Sequence, residues 1–155
     1  MTPFVRRLLF ALLAALAAAG LAASRGAAQA SSARAGAPAA PADTAVWSLL
    51  SGAYTAAQAR RGEAAFQENC GGCHTPVEFT GYGFQRGWAG RTVRDLFGLV
   101  RSLMPFDRPG SLPRQVYADI LAFLFERNGY PAGERELPAD SAGLARVRIE
   151  ALPEK

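Results

Sequence analysis

Ligand-forming side chains are scarce in this chain of 155 residues. It has one histidine, two cysteines and two methionines, and its one lysine is Lys155. A single histidine leaves no second imidazole to act as an acid–base group beside it. No glycine-rich phosphate-cradling motif and no internal repeat occurs, and no set of alternating apolar and polar runs reads as strands. The longest apolar run, Leu8 to Ala23, has 16 residues, short of the about 20 that span a membrane. Excess positive charge is also missing from most of the chain. The formal net charge is +4, but Arg6, Arg7 and Arg25 lie in the first 30 residues, which hold no acid. The remainder has 14 basic and 13 acidic side chains and a charge of +1. That balance gives no support for nucleic-acid binding.

The N-terminal segment has the organisation of an export signal. Arg6 and Arg7 form a basic start, the apolar run follows, and Ala28-Gln29-Ala30 supplies a small-x-small cleavage site before Ser31. Residues 1–30 are therefore expected to be a signal peptide, with an uncleaved anchor as the alternative. Residues 31–46, rich in Ala, Pro and Ser, bury too little apolar surface to offset their ordering entropy and read as a flexible leader.

Beyond the leader the pattern is helical. Thr55 followed by Gln58 makes a capping-box pattern for a helix over residues 56–69, with Ala59, Gly62, Ala65 and Phe66 on one face. Thr92 with Asp95 caps a second over 93–102, whose apolar stripe is Leu96, Phe97, Leu99, Val100 and Leu103. Ser111 is the expected cap of a third, with Val116, Tyr117, Ile120, Leu121, Phe123 and Leu124 buried and Gly129 as its stop. Residues 75–90, with Pro76 and four glycines, read as a loop whose Phe79, Tyr82, Phe84 and Trp88 need an apolar partner, either a flat cofactor or the core. The expectation is an all-α domain over residues 47–130, with three main helices. Residues 131–155 form a C-terminal extension wrapping it.

Both cysteines and the histidine lie in one pentapeptide, Cys70-Gly71-Gly72-Cys73-His74. Two unmodified thiols are unusual in an oxidising compartment. Cys-x-x-Cys-His is the attachment signature of c-type haem: the thiols add to two vinyl groups and the adjacent histidine coordinates the iron. A redox disulfide is a competing reading, but it wants a βαβ context that is missing. Zinc is another, and a carboxylate would have to complete its four ligands.

If haem is bound, the second axial ligand follows by elimination. His74 and both cysteines are used, Lys155 is terminal, and Met1 leaves with the signal. Met104 is the remaining candidate. Pro105 disfavours helix at position 104, and Pro109-Gly110 stiffens the loop that follows. The alternative for Met104 is a gap-filling core residue. The expected cofactor site is Cys70, Cys73, His74 and Met104, with iron on His74 and Met104 and no catalytic residue. A His/Met pair fills both axial positions, which favours a one-electron relay over a peroxidase or gas carrier.

These residues resemble the class I cytochrome c family, in particular the single-haem domains that accompany bacterial quinoprotein dehydrogenases. The resemblance covers residues 51–129. It rests on Gly62, Phe66, the pentapeptide, Met104-Pro105, Pro109-Gly110 with Leu112, and residues 117–124. It implies that Gly62 and Phe66 pack against an aromatic of the C-terminal helix, Phe123, with the haem in a crevice between. It also implies a periplasmic location and redox partner proteins, a dehydrogenase or respiratory complex. One feature departs from the pattern. Many members carry a proline soon after the motif whose carbonyl receives the axial histidine's second N–H, whereas here Pro76 stands almost against His74 and the next proline is Pro105. A carbonyl within residues 77–83 is then the expected acceptor. The expected function is a periplasmic electron carrier. The alternative is a haem c subunit bound tightly within an oxidoreductase complex, with Trp47 and the tail as its docking surface.

Overall fold

The computed structural model describes residues 45–153. The export signal and nearly all of the leader lie outside them. In chain order the elements are β1 (Trp47–Ser48), a 3-10 turn (Leu49–Ser51), α1 (Ala56–Asn69), a second 3-10 turn (Pro76–Phe79), α2 (Gly81–Trp88), α3 (Val93–Leu103), α4 (Arg114–Asn128), α5 (Ser141–Ala145) and β2 (Val147–Arg148). The fold is all-α, with one two-residue parallel strand pair in the register Trp47↔Val147 and Ser48↔Arg148.

Capping starts the helices largely where sequence predicts. The Thr55 hydroxyl accepts the Gln58 N–H at 3.1 Å. The Gln58 side chain does not return the bond, because it is buried and engaged elsewhere. At α3 the box is complete: the Asp95 carboxylate accepts from the Thr92 N–H at 3.0 Å and its hydroxyl at 2.7 Å. Helix α4 starts later than expected. Pro113, not Ser111, is its N-cap, and the Pro113 carbonyl accepts from Val116 and Tyr117. Proline has no N–H to leave orphaned and its fixed φ suits a helix entry. Gly129, at φ 91°, closes α4 in the left-handed region.

Helix α4 is central. Residues 117–125 are all buried, so it is enclosed on every side and not only along a stripe. Helix α1 crosses it at Gly62, where an added Cβ would lie 1.8 Å from the Asp119 carbonyl oxygen. One turn on, Phe66 packs on Phe123 at 5.7 Å between ring centroids. Beside the crossing, the Asp119 carboxylate accepts from Gln58, Gln115 and Arg61. Gln58, fully buried, also exchanges two hydrogen bonds with the Leu137 backbone.

Residues 81–88 are a helix, not a loop. Phe84 is buried edge-on against Phe125, and Trp88, four residues on, packs partly against the same core. Glycines 83 and 87 face open space, so they weaken the helix without spoiling its packed side. Tertiary burial outweighs a propensity cost of roughly 1 kcal/mol per glycine. Tyr82 points outward, 79% exposed.

After α4 the chain contributes Leu137, Leu144, Val147 and Ile149 to the core, each essentially inaccessible. Trp47 is half-buried, with the Arg135 guanidinium 3.9 Å and that of Arg146 6.0 Å from its ring. Trp47 and the tail thus pack within their own domain.

Candidate functional site

Cys70 ends α1, its N–H donating to the Phe66 carbonyl at 2.8 Å. Its own carbonyl accepts the N–H of Cys73 at 3.0 Å and of His74 at 2.9 Å. Residues 70–74 are therefore wound as a further turn that carries both thiols and the imidazole. Gly71 is required there by close approach: a Cβ would come within 2.8 Å of the Gln67 carbonyl oxygen. Cys70 is half-buried and Cys73 exposed. Burial pushes the Cys70 thiol above its usual range.

His74 is oriented by the 3-10 turn that follows it. Its Nδ1 lies 3.1 Å from Glu78 Oε2, and its ring meets Phe79 edge-on at 5.2 Å. Phe79 in turn packs on Phe66 at 6.2 Å. The acceptor facing the second ring nitrogen is thus a carboxylate, not the backbone carbonyl expected within residues 77–83. The Thr75 N–H, followed by His74 and the Thr75 hydroxyl, holds the Glu78 carboxyl down to about 2.

Met104 stands apart from that turn, at the C-terminal end of α3, in extended backbone at φ −125° and ψ 151°. Its N–H donates to Val100, while its carbonyl accepts from Gly110 N–H at 3.2 Å and from Tyr117 Oη at 2.7 Å. Tyr117 is itself packed edge-on against Phe97. The loop presenting Met104 is thereby fastened to α4. The turn bearing His74 reaches the same helix through Phe79, Phe66 and Phe123. Tyr117 and Phe123 are about 9 Å apart along the helix axis, so one rigid helix sets the spacing of the two attachments.

The donor set fits a covalently attached haem. Two thiols share one turn, one imidazole has its Nε2 open, and a thioether side chain sits in a fastened loop. Near Met104 in sequence, Leu99, Leu103 and Phe106 are 47%, 50% and 87% exposed, apolar side chains left available to a flat porphyrin. Among the described residues no group of three or more His, Cys, Asp and Glu side chains converges as a metal cage, so zinc lacks a donor set.

Two contributors were not apparent from sequence. Glu78 carries a readable signal, since Thr75-Pro76-Val77-Glu78 is a capping-box pattern directly after the pentapeptide. Tyr117 carries none, because its hydroxyl and the Met104 carbonyl meet only through the packing of α3 on α4.

Residues 57–124 match the family model described as cytochrome c oxidase, cbb3-type, subunit III. Comparison with curated proteins and with solved structures gives no match. The matched span runs from the first turn of α1 through the pentapeptide and Met104 into α4. The cofactor of such a domain is a covalently bound haem c with iron. The match thus supports a c-type cytochrome domain over residues 57–124.

Proposed function

We propose that the chain is a periplasmic carrier of single electrons between a dehydrogenase or respiratory donor and a downstream acceptor. Its haem is joined through thioether bonds to Cys70 and Cys73, and its iron is held by His74 and Met104. The observation that carries this reading is the single turn that presents two thiols and an imidazole whose Nδ1 is already engaged. When bound, the haem supplies one-electron chemistry through Fe(III) and Fe(II). The protein's residues do the rest. Cys70 and Cys73 would tether it, His74 would offer Nε2, and Met104 would offer its thioether sulfur, raising the potential relative to histidine alone. With His74 so used there is no other histidine for acid–base work, so the chain is a relay and not itself a catalyst.

In this reading residues 1–30 direct export and are removed, or else tether the protein to the membrane. Residues 31–46 form the leader, 47–130 the haem-bearing domain and 131–155 the extension that closes over it. No helix among the described residues is long and apolar enough to cross a membrane.

Absorption spectra of the matured protein, oxidised and reduced, test the reading. The expected result is a low-spin c-type spectrum with histidine and methionine ligation, and a pigment that stays with the protein in acidified organic solvent. A colourless protein, or release of the pigment, overturns it.

The description of the matched family names an oxidase subunit, which favours a second reading: a haem c subunit held tightly within an oxidoreductase complex. Stoichiometric co-purification with a larger oxidoreductase supports that version, and a monomer on gel filtration supports the free carrier.

A further inference from the structure

We infer that Glu78 is the positioning residue of the axial imidazole, its carboxylate accepting the Nδ1–H of His74 in place of a backbone carbonyl. The inference rests on the reading of His74 as an iron ligand.

A carboxylate can only accept. Its contact with Nδ1 at 3.1 Å therefore places the ring proton on Nδ1 and leaves the lone pair on Nε2, the tautomer that ligates through Nε2. Glu78 is itself fixed. One oxygen, Oε1, accepts from the Thr75 N–H at 2.7 Å and the Thr75 hydroxyl at 2.8 Å, leaving Oε2 for His74. Phe79, next along the same turn, meets the imidazole edge-on. One short turn, starting two residues after His74, thus holds the ring by a charged acceptor and an aromatic contact. Pro76 at the start of that turn stands only two residues after His74, and it is the Glu78 carboxylate that lies against Nδ1.

The charge has a consequence beyond orientation. A carboxylate acceptor places more electron density on the imidazole than a neutral carbonyl does, which raises ligand basicity and favours Fe(III) over Fe(II). Glu78 thereby lowers the potential that Met104 raises.

The test uses holoprotein labelled with 15N-histidine, in which His74 is the sole labelled side chain. Wild type, Glu78→Ala and Glu78→Gln are compared by NMR in the ferrous state and by redox titration. Wild type is expected to show an iron-shifted Nε2 and a slowly exchanging Nδ1–H. In Glu78→Ala that proton exchanges at least about 10-fold faster, and the preference for Fe(III) falls about 10-fold, a rise of about 59 mV for one electron. Glu78→Gln keeps an acceptor oxygen without the charge, so it retains the slow proton with a smaller rise. If Glu78→Ala does not mature, the potential of Glu78→Gln decides: a rise supports the inference and an unchanged value overturns it. An iron-shifted Nε2 with proton exchange and potential unchanged in both variants overturns the inference alone. A wild-type Nε2 without iron shift overturns the axial reading and the inference with it.

Discussion

The phenol of Tyr117, on α4, donates a 2.7 Å hydrogen bond to the backbone carbonyl of Met104. It is the direct tie between the central helix and the loop that carries the proposed sulfur ligand. Because Tyr117 is almost wholly buried, its hydroxyl has no solvent alternative. Tyr117→Phe keeps the ring against Phe97 and removes only the bond. The expected loss is about 1 kcal/mol of stability by chemical denaturation. The ferrous protein is also expected to bind carbon monoxide faster than wild type; equal rates would show that the tie does not restrain Met104.

Met104→Ala tests the ligand itself. Removing the thioether is expected to lower the reduction potential and raise carbon monoxide binding by the ferrous protein. If redox titration and ligand-binding kinetics both match wild type, Met104 has no axial role.

The crossing of α1 on α4 tolerates no side chain at position 62. An alanine Cβ there would overlap the Asp119 carbonyl, and two helix backbones, unlike a flexible side chain, would have to separate. Gly62→Ala is expected to cost about 3 kcal/mol or more, beyond the usual range for overpacking. Thermal denaturation of the holoprotein measures this, and an unchanged Tm would place the crossing elsewhere.

Gln58 links α1 to the tail through two hydrogen bonds with Leu137. Gln58→Ala leaves the Leu137 N–H and carbonyl unpaired in the core and opens a small cavity. The expected loss is about 3 kcal/mol. Proteolysis is expected to begin within residues 131–153, and cleavage starting in α1 instead would argue against Gln58 as the tail's anchor.

Two helix caps make stability depend on acid. The Asp95 carboxyl is held below its usual range by the Thr92 hydroxyl and N–H, and that of Asp140 by the Gly143 N–H. A carboxylate whose folded value is depressed contributes stability above its unfolded value, and the contribution disappears as pH falls through the folded one. Tm is therefore expected to decline below about pH 4, with a shallower decline in Asp95→Ala. A variant curve parallel to wild type would show that the Thr92–Asp95 cap contributes nothing in this range.

What could be read before folding was local. Thr55 and Thr92 start their helices because a cap bonds within its own first turn. The pentapeptide names its cofactor because two thiols and an imidazole within five residues share one turn. Met104 stood out because few alternative ligands exist in the chain, and Gly62 and Phe66 matched a pattern whose partner, Phe123, could be named in advance.

The remainder depended on partners distant in sequence. Sequence alone determined the all-α class, the tethering motif and the helix starts, since each follows from groups within a few residues of one another. Only the tertiary structure decided that residues 81–88 are helical, because Phe125 supplies the burial that outweighs their glycines. It likewise took Gln58 from its cap to Leu137, 79 positions away, and paired Trp47 with Val147 across the length of the domain. The Tyr117 hydroxyl reached Met104 by the same route. A buried polar group must be satisfied wherever the fold places its partner, and that place is set by the packing of whole helices.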